Sequence, residues 1–182
     1  MNAYELAGRL RQALEVPSSD GLHLDPKASF RTWTPEFCRF LESLGRGDYV
    51  AYYPGNEGYL LDFIWYRMSS HQIELAAEIE WTREDDRLES VSYDFEKLMH
   101  IKCPLKLLVY QVGNDPTAGG DLLKKLESKL QVFGRHSLGD EYLLMEFSNP
   151  WTTAAFWHLS VKRDGRQQER LHFNLLSPVA SQ

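Results

Sequence analysis

The sequence predicts an α+β fold: a mixed β-sheet, antiparallel strands first and a parallel crossover strand after, flanked by helices. Three observations predict it. Residues 73–81 read Ile-Glu-Leu-Ala-Ala-Glu-Ile-Glu-Trp, apolar at the odd positions and mostly acidic at the even ones, the period of a half-buried strand. Residues 105–112 have no clean polar face, as expected of a central strand covered on both sides. Residues 93–101 between them are amphipathic, and a strand, a helix and a buried strand in that order make a right-handed parallel crossover.

A chain of 182 residues is long enough for one domain with a full core and short for two. A helical extension over about 1–47, a motif core over about 48–112 and a C-terminal helix with strands over about 113–182 are expected within it. Hydrophobic residues at 43% and aromatic ones at 13% exclude a disordered chain. No apolar run approaches the ~20 residues that cross a bilayer, so no membrane is expected. The opening Met1-Asn2-Ala3-Tyr4-Glu5 lacks the basic-then-apolar pattern of a signal peptide, so a cytoplasmic location is expected. Cys38 and Cys103 match no metal-ligand spacing and read as reduced, buried thiols. The net charge of -6 is uneven: residues 1–100 carry 10 basic against 18 acidic side chains, and residues 101–182 carry 10 against 8. That balance argues against a general polyanion binder, while a local basic face remains compatible with phosphate contacts.

Along the chain, Leu6, Leu10 and Leu14 at four-residue spacing predict a helix over 3–15, broken by Pro17 and Gly21. Thr34 as N-cap and Pro35 at the first helical position predict a second helix that ends at Gly45 or Gly47. A first strand over 48–53 and a hairpin turn over 54–58 follow. The next strand is expected to bury Leu61, Phe63 and Trp65 and to leave Asp62 on its other face. Ser90 or Ser92 caps a helix reaching Lys102, with Asp94 and Glu96 in its first turn, and Pro104 stops it. A helix over 121–133, a strand over 142–147 and a hairpin of 156–161 with 171–176 complete the chain.

Matching the two apolar faces sets Phe63 opposite Ala77 and Leu61 opposite Ile79, which brings Asp62 opposite Glu78 with Glu80 on the diagonal. Opposed like charges cost up to ~1 kcal/mol in a strand pair, and a bound cation is the simplest compensation. Carboxylates that hold Mg²⁺ (or Mn²⁺) neutralise a phosphate, activate water and stabilise a leaving oxygen, the three needs of phosphodiester hydrolysis. The carbonyl of Ile79, between the two acids, is a further candidate metal ligand. The plain alternative is that Glu74, Glu78 and Glu80 form the solvated face of an exposed strand.

Asp62, Glu78, Glu80 and a lysine on the following helix resemble the PD-(D/E)XK (restriction endonuclease-like) nuclease superfamily. The order of elements over about 34–112 is similar to that superfamily's core: helix, three antiparallel strands, crossover helix, parallel strand. The resemblance implies that Asp62 and Glu78 bind magnesium and that a lysine positions or activates the attacking water. Two positions depart from the pattern: Leu61 stands in place of the proline and Glu80 in place of the lysine, giving Glu78-Ile79-Glu80. Some members take the lysine from the next helix. Lys97, in Asp94-Phe95-Glu96-Lys97-Leu98, is the best match for it, with Lys102 the alternative, although Lys97 falls off the centre of the stripe marked by Phe95, Leu98 and Met99.

Lys124, Lys125 and Lys129 form one basic side of a helix that can meet the phosphates of a nucleic acid, and equally read as a solvated face. His100, His136, His158 and His172 show no ligand spacing, and Glu57 and Glu74 read as solvated. Trp151 reads as the most exposed tryptophan. Two functions are therefore expected: a Mg²⁺-dependent nuclease acting on nucleic acid, or a non-catalytic nuclease-fold module that binds a protein partner or a second copy of itself.

Overall fold

A computed structural model of the chain describes residues 1–15, 22, 30–54, 60–81, 87–112, 118–148, 154–161 and 173–175. Their elements are α1 (Ala3–Glu15), α2 (Phe30–Gly45), β1 (Val50–Tyr52), β2 (Phe63–Arg67), β3 (Gln72–Glu80), α3 (Arg87–His100), β4 (Leu105–Gln111), α4 (Ala118–Val132), β5 (Glu141–Phe147), β6 (Ala154–Ser160) and β7 (Phe173–Leu175). The seven strands lie side by side in chain order. β1, β2 and β3 pair antiparallel, β3, β4 and β5 parallel, and β5, β6 and β7 antiparallel. The α+β mixed sheet expected from the sequence is present, with α3 as the crossover from β3 to β4. The expected turn at 55–58, Glu57, Trp151 and His172 lie outside the described residues.

Each sheet face has its own core. Leu6 and Leu10 of α1 and Phe37 and Leu41 of α2 pack on Phe63, Trp65, Leu75, Ala77 and Ile79. Phe95 and Leu98 of α3 and Leu122 and Leu126 of α4 pack on Ile64, Ala76, Leu108 and Leu144 across the sheet. Each such side chain contributes ~1.5–3 kcal/mol on burial, which holds both helical layers in place. The two-sided cover corrects one expectation. β3 is covered on both faces over Leu75 to Ile79, because α3 lies on the acidic face that was expected to be half open.

The register places Phe63 opposite Ala77, as the apolar faces require, and shifts at a bulge between Trp65 and Tyr66. Leu61 does not share the face of Phe63: β2 begins at Phe63, the two-residue alternation does not reach upstream, and Leu61 joins the α3 side. α2 begins at Phe30, so Pro35 is internal and Thr34 is no N-cap. The Thr34 hydroxyl instead accepts a 2.9 Å hydrogen bond from Trp81 Nε1, tying α2 to the end of β3. α3 begins at Arg87 and ends at His100, which puts Ser90 and Ser92 inside it and moves Asp94 out of the first turn. α4 starts at Ala118, three residues earlier than expected.

Two local devices were not read from the sequence. Asn2 and Glu5 cap α1 reciprocally: the Glu5 amide donates to Asn2 Oδ1 at 2.9 Å and the Asn2 amide to Glu5 Oε2 at 3.1 Å. At the end of α2, Trp65 Nε1 donates to the Leu41 carbonyl at 3.1 Å, and its ring lies so close to Gly45 that a Cβ there would stand 2.6 Å from the indole nitrogen. Gly45 is required by that approach. Cys38 and Cys103 are free, buried and on opposite sheet faces. No described helix is long and apolar enough to cross a membrane.

Candidate functional site

Asp62 immediately precedes β2, and its Oδ2 accepts a 2.8 Å hydrogen bond from the backbone amide of Ile79. That bond joins the entry of β2 to the last turn of β3 and fixes the carboxylate beside Glu78. Ile79 thus enters the site through its amide, while its side chain points to the opposite core. Glu78 follows the inward period of β3 on the α3 side and is only 1% exposed. The solvated-face reading of this acid does not survive that burial.

Lys97 reaches across from α3. Its Nζ lies 2.8 Å from Glu78 Oε1 and 2.9 Å from Asp94 Oδ1, one turn back on the same helix. Although Lys97 sits off the apolar stripe, its long stem spans the offset and leaves the side chain 29% exposed. Glu78 Oε1 thus has the Lys97 ammonium as its charged partner. Glu80, half-buried at the end of β3, shares a hydrogen bond with Asp94. Tyr93 holds its ring 5.6 Å from Lys97 Nζ. The alternative, Lys102, is exposed beyond the end of α3.

The charges here do not balance. Burial pushes the Glu78 carboxyl up to about 8, and the Lys97 ammonium only partly opposes it, because Asp62 and Asp94 repel the same charge. Burial, the Asp94 hydrogen bond and the Asp94 charge raise Glu80 to about 7. Burial also raises Asp62, against the lowering effect of the Ile79 amide. Burial alone would lower Lys97, but hydrogen bonds to Glu78 and Asp94 outweigh it and hold the amine protonated. Among the described residues, one ammonium thus lies among four carboxyl groups. Protonation of Glu78 and Glu80 relieves part of that excess, and a bound cation would relieve it in the same sense.

Mg²⁺ typically keeps several waters and takes only one or two carboxylates. Asp62 and Glu78 supply that pair. Among the described residues no group of three or more His, Cys, Asp or Glu side chains is placed to hold a metal ion of any kind, so an ion here would rest on two carboxylates and water.

Other sequence candidates lie elsewhere. Lys124 pairs with Asp121 at 3.1 Å and Lys129 with Glu96 of α3, so two members of the basic face already carry acidic partners. Lys125 is exposed on the same helix. Glu74 pairs with Arg67 at 2.8 Å. His100 packs edge-on against Phe133, and His136 bonds to the Leu130 carbonyl and the Tyr142 hydroxyl. His158 is buried on β6, edge-on to Tyr4. A cavity of about 110 Å³ lined by Tyr4, Ala7, Gly8, Arg11 and Phe156 lies on the α1 face, away from the acids.

Two charged features escaped the sequence reading. Asp94, expected in a first turn as a dipole partner, lies inside α3 beside Lys97; the Asp-x-x-Lys spacing, which puts both side chains on one helix face, is the signal that marks it. Lys106 is fully buried in β4, paired with Asp140 at 3.0 Å and donating to the Cys103 carbonyl at 2.8 Å. Nothing in an apolar run distinguishes such a lysine from a strand-end residue. No family model matches the chain, and neither a curated protein nor a solved structure is detectably similar to it.

Proposed function

We propose that the chain is a Mg²⁺-dependent phosphodiesterase acting on nucleic acid, built on a PD-(D/E)XK-like core in which Lys97 replaces the lysine of the third strand. The observation that carries this reading is the meeting of Lys97 with Glu78 at 2.8 Å, beside an Asp62 anchored on the Ile79 amide. Three consecutive elements, β2, β3 and α3, bring together there the residue types that phosphoryl chemistry uses. The order α2, β1, β2, β3, α3, β4 supports the same reading.

Asp62 and Glu78 would hold the ion, which, when bound, neutralises the phosphate and acidifies a water. Lys97 is held protonated, so it acts as a fixed positive charge against the developing phosphate oxygens and not as a base. Glu80 is assigned the role of accepting a proton from the attacking water. Lys124, Lys125 and Lys129 are assigned to backbone contacts, exchanging their acidic partners for phosphates.

The second reading, a non-catalytic module, is favoured by one observation: the ion pairs of Lys124 and Lys129 leave little ready-made basic surface. Cleavage assays separate the two. Purified protein with single- and double-stranded DNA and RNA, in Mg²⁺ and in Mn²⁺, is expected to cut at least one substrate only with divalent metal, and not at all as Asp62→Ala. Metal binding without cleavage across that panel would favour the module.

A further inference from the structure

Asp94 is 7% exposed, and its carboxylate lies 2.9 Å from Lys97 Nζ. Lys97 therefore has two anionic ties, Glu78 on β3 and Asp94 on its own helix. They are not equivalent. Glu78 is the carboxylate that a cation at Asp62 would share, whereas Asp94 moves with the helix that carries the lysine. A lysine side chain has many rotamers, and one that is 29% exposed has solvent to turn into once its partner is taken. A pair three residues apart on a packed helix restrains it without help from the sheet. Tyr93, 5.6 Å away, adds only a weaker cation–π contact.

We propose that Asp94 is the positioning residue for Lys97, holding the ammonium at the site after Glu78 is given over to a divalent cation. This inference rests on the reading of Asp62 and Glu78 as a cation site. It assigns Asp94 no direct contact with ion or substrate.

The test is an NMR experiment on the full chain with ¹⁵N-labelled lysine, in which Lys97→Met identifies the Lys97 Nζ signal. Without metal, the signal should be sharp in wild type and in Asp94→Asn, because Glu78 alone suffices. With saturating Mg²⁺ it should persist in wild type and in Asp94→Glu, and vanish into fast exchange with water in Asp94→Asn. Calorimetry should show Mg²⁺ affinity within about threefold of wild type in Asp94→Asn, a change below ~1 kcal/mol. Turnover in that variant should fall ~10–100-fold with KM little changed, the loss expected of a misplaced group. Persistence of the signal in Mg²⁺-bound Asp94→Asn overturns the proposal. So does a loss of Mg²⁺ affinity equal to that in Asp62→Asn, which would make Asp94 a ligand. If wild type shows neither Mg²⁺ heat nor any change in the Lys97 signal, the cation site itself is wrong, a failure visible before any Asp94 variant is measured. Should Asp94→Asn not fold, Asp94→Ser takes its place with the same expected outcomes.

Discussion

Glu78 carries a carboxyl raised to about 8 by burial, so its proton couples folding to pH. Below the ordinary glutamate range both folded and unfolded chains hold that proton. Between that range and about 8 only the folded chain holds it, so stability falls as pH rises, by at most ~1.4 kcal/mol per pH unit. Glu80 and Asp62, shifted in the same direction, add to the slope. Urea unfolding of metal-free protein between pH 5.5 and 8 should show this decline relative to Glu78→Gln. A Glu78→Gln variant less stable by the same amount at every pH would instead mark Glu78 as a structural hydrogen-bond partner. Mg²⁺ acts in the opposite sense. At a hundredfold excess over Kd it should add ~2.7 kcal/mol, or several degrees in Tm for a chain of this size. That gain should disappear in Asp62→Asn and Glu78→Gln, and a flat Tm across millimolar Mg²⁺ and Mn²⁺ in wild type would remove the site. The acids themselves were legible, because a polar period inside an apolar strand is visible in sequence. Their burial was not, since nothing local in residues 73–81 says that α3 covers them.

Among the elements, strand pairing was the most legible part and helix starts the least. Aromatic and aliphatic residues on one face of β2 and β3 allow a single register, and the structure adopts it from Phe63 to Trp65. The Thr34-Pro35 signal is a sound cap locally, but Trp33 is 8% exposed against Trp81, and that packing carries α2 a turn further back. Tertiary contact outweighs a cap worth ~1 kcal/mol. Gly45 belongs to the same junction. Gly45→Ala should destabilise the fold by ~1–3 kcal/mol, because the indole of Trp65 is hydrogen-bonded to Leu41 and has little freedom to withdraw. A Trp65→Leu background should remove most of the alanine's cost, and unfolding midpoints of the four proteins in that double-mutant cycle decide it. A Gly45→Ala chain as stable as wild type would mean that α2 can shift along the sheet. The pair of Lys106 and Asp140 obeys a different rule, since removing Asp140 alone strands a buried ammonium. Asp140→Asn should cost ~3–5 kcal/mol, and Lys106→Met much less.

Among the described elements, the sheet is the layer that both cores share, which gives the two thiols a use. Cys38 lies in the α1 and α2 core, its Sγ 3.5 Å from the Asp62 carbonyl, and Cys103 lies in the α3 and α4 core. Burial raises the first thiol to about 12 and the second to about 11, so neither reacts as a thiolate in the folded chain. Each becomes reactive only when its own side of the sheet opens. The sequence marks both as buried, but not that they report on opposite faces, because facing depends on which helix covers which strand. If the molecule opens as one cooperative unit, a thiol reagent should label both cysteines at one common rate. Mg²⁺ bound at Asp62 and Glu78 should then slow both equally, since its stabilisation belongs to the whole folded state. Mass spectrometry of partly labelled protein measures this directly, as doubly labelled and unlabelled chains without singly labelled ones. A population labelled at Cys38 alone would show that α1 and α2 open separately from the sheet. Protection by Mg²⁺ would then distinguish the layers: the site is built on β2, β3 and α3, so the ion should slow Cys103 and leave Cys38 close to its metal-free rate.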